Sequence, residues 1–203
     1  MSEKSPGIDG IPAEFYQQFD KVTEWLHAIL GKTGKNKTLT ETMRTSVVNI
    51  LFKKGDSKKG NYRPVSLAYT DYKIMAKVMI ERIKPTLSQV TGTEQQRFIE
   101  GGDIAGNLIL VKEIIDCCKE KDVRAYIILM DFMKAYDRID RETIELTLRE
   151  MNFGEPIIDM ITLLYEDSQA LVVTNDIKGK TFQTRGGVKQ GCLLSPYLFI
   201  IVL

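Results

Sequence analysis

The chain has 203 residues, of which 43% are hydrophobic and 27% are charged, an ordinary globular composition that excludes a disordered or fibrous protein. Its formal net charge is only +1, so the total charge does not by itself indicate a nucleic-acid partner. No apolar run approaches the roughly 18 residues that cross a bilayer, and the first residues lack the order of a secretory signal. We therefore expect a soluble, intracellular protein that has no membrane partner.

The scarcity of two residue types narrows the chemistry that the chain can perform. It has three cysteines, two of them adjacent at Cys117 and Cys118, a pattern that fits neither a disulfide framework nor a zinc knuckle. His27 is the only histidine, so catalytic triads and multi-histidine metal sites have at most one candidate each. Any catalysis is therefore expected to depend on carboxylates and a hard metal ion.

The near-neutral charge conceals a strongly basic segment. Residues 31–84 carry 13 basic and 4 acidic side chains, a net charge of +9, and both flanking segments are net acidic. Such a segment suits a surface that meets phosphates, because neutralising phosphates releases their counterions. A solvated, lysine-rich loop is the alternative interpretation, since runs of charge are usually solvent-exposed.

The first half of the chain predicts helices around one short strand. Apolar spacing predicts a helix over residues 12–30, followed by a polar linker over 31–37. A strand is predicted over 47–52 and a polar loop over 53–64. Two further apolar stripes at helical spacing are expected to face the core: Met75, Val78, Met79 and Ile83, ending near Pro85, and then Leu108, Val111, Ile115 and Cys118.

The second half begins with a continuous apolar run over residues 125–130. This run predicts a strand buried on both faces that delivers Asp131 at its end. Two helices follow, one capped by Asp140 and one after Gly154, and then a hairpin whose strands cover 170–174 and 180–184. Glycines punctuate a loop over 186–191 before a last apolar stretch. This order of elements predicts an α+β fold without regular strand–helix alternation.

The segment from Asp131 to Asp137 is the strongest candidate for chemistry. A carboxylate at a strand end can hold Mg²⁺, which usually needs only one or two protein carboxylates because phosphates and water complete its shell. The backbone carbonyl of Phe132 could add a ligand, and the ring of Tyr136 could pack against a nucleotide sugar. Seen alone, Asp131 could equally be a helix cap or a member of a loop salt bridge.

Two other segments could contact a nucleotide. In the loop Gly186 to Pro196, the glycines allow close backbone approach and Gln190 offers both a donor and an acceptor. The loop could equally be a simple turn, and the chain contains no Walker motif. Around the predicted polar loop, Lys53 and Arg63 could clamp a triphosphate, the arginine through forked hydrogen bonds and the lysine as a mobile charge.

Taken in order, four segments resemble the reverse transcriptase domain of non-LTR (LINE-type) retrotransposons. They are Ser5 to Tyr16, Asn61 to Leu67, Asp131 to Asp137 and Gly187 to Pro196, and they span nearly the whole chain. The resemblance implies the fingers and part of the palm of a right-hand polymerase. It divides the chain into an N-terminal extension with the fingers at residues 1–124 and a partial palm at 125–203.

The resemblance also implies the chemistry and its participants. Asp131 matches the first catalytic aspartate, a ligand of both Mg²⁺ ions, and the Phe132 carbonyl matches a further ligand. Tyr136 matches the steric gate that favours deoxynucleotides over ribonucleotides. The expected reaction is RNA-directed DNA synthesis, in which a primer 3′-hydroxyl attacks a dNTP on an RNA template. The expected location is the cytoplasm and the nucleus.

Further positions match the family's nucleotide-binding residues. Lys53 and Arg63 match the fingers residues that bind the incoming triphosphate. Gln190 and Gly191 match the pair that lines the nucleotide and template pocket. The physics of phosphoryl transfer agrees with these roles, because the reaction needs mainly positioning and charge stabilisation from the protein.

Two departures from the family pattern shape the prediction. Asp103 follows Gly102 where relatives often carry a basic residue. The family's aromatic-x-Asp-Asp motif, which supplies the remaining metal carboxylates, does not occur in the 203 residues. We therefore expect the chain on its own to be inactive in polymerisation. A non-catalytic nucleic-acid-binding remnant is the alternative, and a remnant that does not fold stably is a third interpretation.

Overall fold

The computed structural model of the chain describes residues 9–55, 62–90, 95, 104–175 and 177–203. Asp103, Asn61 and the residues before Asp9, which the sequence analysis singled out, lie outside this part. The helices of the described residues are α1 (Ala13–Gln18), α2 (Asp20–Asn36), α3 (Glu41–Arg44), α4 (Thr70–Val90), α5 (Ile104–Glu120), α6 (Ala135–Arg138), α7 (Arg141–Glu150), α8 (Glu155–Tyr165) and α9 (Ser195–Val202). The strands are β1 (Thr45–Phe52), β2 (Tyr62–Ala68), β3 (Gln169–Thr174) and β4 (Ile177–Gln183).

The four strands form one sheet in the order β2-β1-β3-β4. β1 pairs antiparallel with β2 and parallel with β3, and β3 pairs antiparallel with β4. The predicted polar loop over 53–64 is wrong at its end, because β2 begins at Tyr62 and includes Pro64 opposite Ile50. Proline is tolerated there because β2 is an edge strand, so its missing N–H interrupts no second ladder.

A sheet with helices packed beside it confirms the α+β class. The sheet joins β1 and β2 to β3 and β4, which come from opposite sides of residue 124. The sheet therefore combines strands from both predicted regions. The division at residue 124 itself stays a prediction.

One hydrophobic core lies between α4, α7, α8 and α9. The stripe on α4 is confirmed, with Met75, Met79 and Ile83 at most 2% exposed. Opposite it pack Leu148 of α7 and Leu198 of α9, both fully buried. The prediction that the first stripe ends near Pro85 is wrong, because α4 continues through this proline to Val90.

The predicted linker over 31–37 is wrong, because α2 continues to Asn36 and Lys37 closes it in the left-handed conformation. Thr33 is buried, and a Cβ at Gly34 would lie 3.4 Å from the Met160 side chain on α8. Lys37 also forms an ion pair with Asp159 of α8 at 3.1 Å. Packing against α8 therefore outweighs the low helix propensity of the two glycines. The predicted helix over 12–30 is also interrupted, at Phe19.

The predicted buried strand over 125–130 is wrong. These residues belong to no strand or helix, and Leu129 is 92% exposed. A continuous apolar run forms a buried strand only when neighbouring strands flank it, and the run pairs with neither edge of the four-stranded sheet. The second stripe is helical in α5, but the expectation that it faces the core is also wrong, since Leu108 is 70% exposed.

The remaining predicted elements differ only in detail. Asp140 precedes α7 as expected, but its side chain makes no capping hydrogen bond. The helix after Gly154 is confirmed as α8. The hairpin has a shorter turn than predicted, because β4 begins at Ile177. Within the described residues, no helix is long and apolar enough to cross a membrane.

Candidate nucleotide-binding site

The loop from Gly186 to Leu194, called here the glycine loop, packs on the short helix α6. The Gly187 amide donates to the Ile139 carbonyl, and the Val188 amide donates to the Tyr136 carbonyl, both at 2.9 Å. Gly187 has φ +70°, and a Cβ there would lie 2.8 Å from the Tyr136 carbonyl oxygen. Only glycine permits this approach, so the glycine loop and Tyr136 are held together by backbone geometry.

The other end of the glycine loop contacts strand β2. The Ser66 amide donates to the Gln190 carbonyl at 2.6 Å. Gly191 has φ +105°, and a Cβ there would lie 2.8 Å from the Ser66 carbonyl oxygen and 3.2 Å from Cγ1 of Val65. The glycine loop therefore bridges α6 and β2.

The position of Arg63 follows from the register of β2. Arg63 lies opposite Leu51, and Val65 lies opposite Asn49. Residues two apart on a strand face the same side, so Arg63 projects from the face on which Val65 contacts Gly191. Lys53 directly follows β1, and both cations are exposed. The structure thus places Arg63 on the same face as the glycine loop. Lys53 lies at the end of the antiparallel pair β1–β2, called here the hairpin arm.

A cavity of about 330 Å³ opens beside the glycine loop. Its lining includes Tyr136 of α6, Gly191 and Cys192 of the glycine loop, and Lys77 of α4. The Tyr136 ring packs against that of Phe199 on α9, with centroids 5.5 Å apart. Three regions that are distant in sequence thus share one concave surface with an aromatic ring at its wall, the usual form of a small-molecule site.

Asp131 and Phe132 lie on the exposed segment that leads into α6. Asp131 is exposed and Phe132 is 60% exposed. Within the described residues, no group of three or more histidine, cysteine or acidic side chains could hold a metal ion. An accessible carboxylate fits the oxygen ligands that a hard divalent cation takes. Asp131 could supply one such ligand but does not by itself form a complete site.

Sequence reasoning missed Arg141, which holds the start of the glycine loop. From α7 its guanidinium donates to the carbonyls of Tyr165 at 2.6 Å and Gly187 at 3.2 Å, and to Thr184 Oγ1 at 3.2 Å. It also lies over the Tyr165 ring, 5.5 Å from the centroid. Burial lowers the pKa of Arg141. In the sequence Arg141 is an ordinary arginine in the first turn of a predicted helix, so no sequence pattern identified it as a functional residue.

Lys189 was also missed, because a lysine in a predicted loop suggests a solvent contact. It is only 7% exposed. Its Nζ lies 4.0 Å from the centroid of the buried Tyr72 ring on α4. Its carbonyl accepts a hydrogen bond from Ser195 Oγ at 2.7 Å. Lys189 therefore joins the glycine loop to α4 and to the start of α9.

The four-stranded sheet and the helices packed beside it form an α+β fold of the fingers-and-palm type. The comparisons agree, since residues 52–203 match the family model described as "Reverse transcriptase (RNA-dependent DNA polymerase)". The chain belongs to the reverse transcriptase family.

The similar proteins place the chain in the non-LTR retrotransposon branch of that family. It is 33% identical over 202 residues to the "Transposon TX1 uncharacterized 149 kDa protein" of Xenopus laevis, covering 98% of this chain and 15% of that protein. It is 25% identical over 197 residues to the "Retrovirus-related Pol polyprotein from type-1 retrotransposable element R2" of Nasonia vitripennis, covering 97% of this chain and 19% of that protein. The chain thus spans less than a fifth of either relative.

A solved structure supports the fold. The model resembles an apo telomerase from Candida tropicalis, truncated from its C-terminal domain, with a TM-score of 0.52 at 12% sequence identity. The match covers 89% of this chain and 43% of that one. It therefore extends over the sheet and the helices around it.

Proposed function

We propose that the chain forms the nucleotide-binding part of an RNA-directed DNA polymerase, which transfers a deoxynucleotide from a dNTP to a primer 3′-hydroxyl. The observation that carries this proposal is the bridge made by the glycine loop, which contacts Tyr136 at one end and Ser66 at the other. Family membership and the cavity at this bridge support it.

In this proposal each predicted residue has a distinct task. Arg63 and Lys53 bind the triphosphate, the first by forked hydrogen bonds and the second as a point charge on the hairpin arm. Gln190 and Gly191 line the pocket for the base and template. Tyr136, at the cavity wall, excludes a ribose 2′-hydroxyl.

Reverse transcriptases work with divalent metal ions, and we propose Mg²⁺ as the ion here. Asp131 and the Phe132 carbonyl would hold it together with carboxylates of the aromatic-x-Asp-Asp motif, which is absent from these 203 residues. When bound, paired Mg²⁺ ions lower the barrier by stabilising the attacking and leaving oxygens. The chain's own residues position the nucleotide, and one carboxylate alone does not complete the site.

The proposed partners are an RNA template, a DNA primer and dNTPs. The basic segment over residues 31–84 supplies charge for the nucleic acid, which makes binding salt-dependent. The proposed location is the cytoplasm and the nucleus. A nucleic-acid-binding remnant without activity remains the second candidate, and the same basic segment favours it.

The decisive experiment compares two proteins, the 203-residue chain and a longer form that includes the aromatic-x-Asp-Asp segment. We expect template-dependent dNTP incorporation on a primed RNA only by the longer form, and its loss in Asp131→Asn. Asp140→Asn, a nearby exposed carboxylate outside the segment from Asp131 to Asp137 whose side chain makes no capping hydrogen bond, serves as the matched control and should retain activity. RNA binding without incorporation by the longer form would instead establish the remnant.

A further inference from the structure

Lys77 is the charged residue in the lining of the cavity beside the glycine loop. The other lining residues that the structure describes are uncharged, and they include Tyr136 of α6 and Gly191 of the glycine loop. Lys77 extends from α4, and Ile80, about one turn further along that helix, is buried and lines the same cavity. Among the described lining residues the cavity therefore has one cation in a mainly apolar wall, an arrangement that attracts an anionic group to one defined position.

The ion pair that holds Lys77 is weak. Its Nζ lies 2.5 Å from Oε1 of Glu81, four residues later on α4, and both side chains are more than half exposed. Exposed ion pairs contribute little because water screens them, and at this spacing a lysine before a glutamate is the less favourable order. The hydrogen bond from Lys77 lowers the pKa of the Glu81 carboxyl, and the charge of Lys84 lowers it further. Glu81 therefore keeps a neighbouring cation when Lys77 turns away from it.

The position of Tyr136 in the same cavity is fixed by two contacts. Its carbonyl accepts a hydrogen bond from the Val188 amide at 2.9 Å, and its ring packs against that of Phe199. A sugar that packs against this ring lies in the same cavity as Lys77, and the sugar of a nucleotide carries its phosphate only a few bonds away. Lys77 is therefore the cation of the described lining that this phosphate would meet, and lysine binds phosphates as a mobile point charge.

Resting on the proposed function, we propose that Lys77 is a phosphate-binding residue of the nucleotide pocket, which exchanges Glu81 for a phosphate when a nucleotide enters the cavity. Glu81 holds the ammonium near the cavity in the absence of a nucleotide, and a phosphate replaces it because several charged oxygens accept from the ammonium at once. Lys53 and Arg63 are not among the described lining residues, so the contact of Lys77 is separate from theirs.

Two nucleotides could present this phosphate, the incoming dNTP and a nucleotide of the RNA template. Both carry the phosphate on a sugar, so the group that Lys77 would bind is the same. The two sources are separated by the choice of probe. Thymidine and dTMP differ only in the phosphate of a free nucleotide, whereas a short oligouridylate supplies the phosphates of a single RNA strand.

NMR titration of the 203-residue chain measures the binding of these three probes. If the phosphate belongs to the dNTP, the wild type should bind dTMP about tenfold more tightly than thymidine, and Lys77→Met should remove this difference. If it belongs to the template, Lys77→Met should weaken oligouridylate binding and lower the slope of log K against log salt by about 0.7. In either case Lys77→Arg keeps the charge and should stay within threefold of the wild type.

Lys119→Met is the matched control. Lys119 of α5 is also an exposed lysine that pairs with a carboxylate of its own helix, Asp116, at 3.9 Å, and it is not a lining residue of this cavity. Its loss should leave the binding of all three probes unchanged. Neither Lys77→Met nor Lys119→Met should change the melting temperature, because each removes only an exposed ion pair.

Glu81→Gln tests the exchange between the two anions. It frees Lys77, so the phosphate-bearing probe should bind about threefold more tightly, whereas the same change made in Lys77→Met should have no effect. Asp116→Asn is its control and should change neither background. An equal gain with and without Lys77 would assign the effect to the total charge and would overturn the exchange.

The outcomes separate the role of Lys77 from the proposed function. Unchanged binding of both dTMP and the oligouridylate in Lys77→Met would overturn the role of Lys77 and leave the proposed function in place. An equal loss in Lys119→Met would do the same. A wild type that binds none of the three probes would count against the proposed function and the role of Lys77 together.

Discussion

The backbone amide of Ser66 donates a hydrogen bond of 2.6 Å to the carbonyl of Gln190. These residues come from an edge strand and from the glycine loop, which are far apart in the chain. The bond sets the distance between the face of β2 that carries Arg63 and the loop that lines the cavity. Substitutions that disturb this junction should therefore affect both folding and nucleotide binding.

Gly191→Ala tests the close approach at this junction. The new Cβ would lie 2.8 Å from the Ser66 carbonyl at a φ of +105°, so both contact and conformation oppose it. We expect a loss of about 2–4 kcal/mol in the free energy of unfolding, measured by urea denaturation. Gly186→Ala is the matched control, because nothing lies within 4 Å of its Cβ position. An equal effect of both variants would refute the explanation.

Arg141→Met tests the hydrogen bonds by which Arg141 holds the start of the glycine loop. The carbonyls of Tyr165 and Gly187 would lose their donor, and we expect a loss of about 2–4 kcal/mol in unfolding free energy. Arg149→Met, on the same helix, removes an exposed arginine that pairs with Glu145 and Glu155. Exposed ion pairs contribute little, so its effect on the denaturation midpoint should be much smaller. A reversed order would contradict the assignment.

The stability of the chain should rise with pH between about 8 and 10. The folded-state pKa of Lys189 is about 8, below its ordinary 10.5, so in this interval the unfolded chain binds more protons and raising the pH favours folding. The slope should approach 1.4 kcal/mol per pH unit, about 3 kcal/mol in all. Above pH 10 the raised pKa values of Tyr72 and Tyr165 reverse the trend, since the unfolded chain then binds fewer protons.

Urea denaturation at intervals from pH 7 to 11 measures this curve. Lys189→Met should lack the rise between pH 8 and 10 and should keep the fall above pH 10. A wild-type curve that is flat between pH 8 and 10 would show that Lys189 is not buried as a cation.

Tyr136→Ala tests the sugar gate in the longer form that carries the aromatic-x-Asp-Asp segment. Removing the ring from the cavity wall opens space for a 2′-hydroxyl, so the ratio of kcat/KM for rNTP over dNTP should rise at least tenfold. Tyr197→Ala, at another part of the same cavity lining, is the control. Unchanged sugar selectivity in Tyr136→Ala would remove Tyr136 from this role.

Leu129→Ser tests whether residues 125–130 are exposed and not part of a buried strand. Leu129 is 92% exposed, so its loss should change the unfolding free energy of the 203-residue chain by less than about 0.5 kcal/mol. Leu148→Ala, at a fully buried position of α7, should cost about 2–5 kcal/mol. A large effect at Leu129 in urea denaturation would mean that residues 125–130 are packed in solution.

The sequence predicted best where one local pattern decides the structure. The α4 stripe of Met75, Met79 and Ile83 has helical spacing, and its burial needs only some apolar partner. The glycine-rich sequence predicted a backbone that can approach a ligand closely, whereas the structure shows Gly187 and Gly191 in close approach to the backbone of Tyr136 and of Ser66. The motifs also place Tyr136, Gln190 and Gly191 in one family pattern, but they do not indicate which residues these positions contact.

Tertiary structure decided what depends on distant partners. Residues 125–130 have the composition of a buried strand, yet burial requires flanking strands, and the described residues supply none beside them. The predicted linker after Leu30 is helical and contacts α8 at Gly34 and Lys37, an interaction that no local window contains.

Length and charge by themselves determined that the chain is a globular protein with a basic segment, and its motifs determined the family. They did not reveal that Arg141 holds the start of the glycine loop or that Lys189 is buried within it. A sequence does not distinguish a buried lysine from a solvated one. Only the packing of α4, α7 and α8 around that loop removes water from Lys189, and this loss of solvent lowers its pKa.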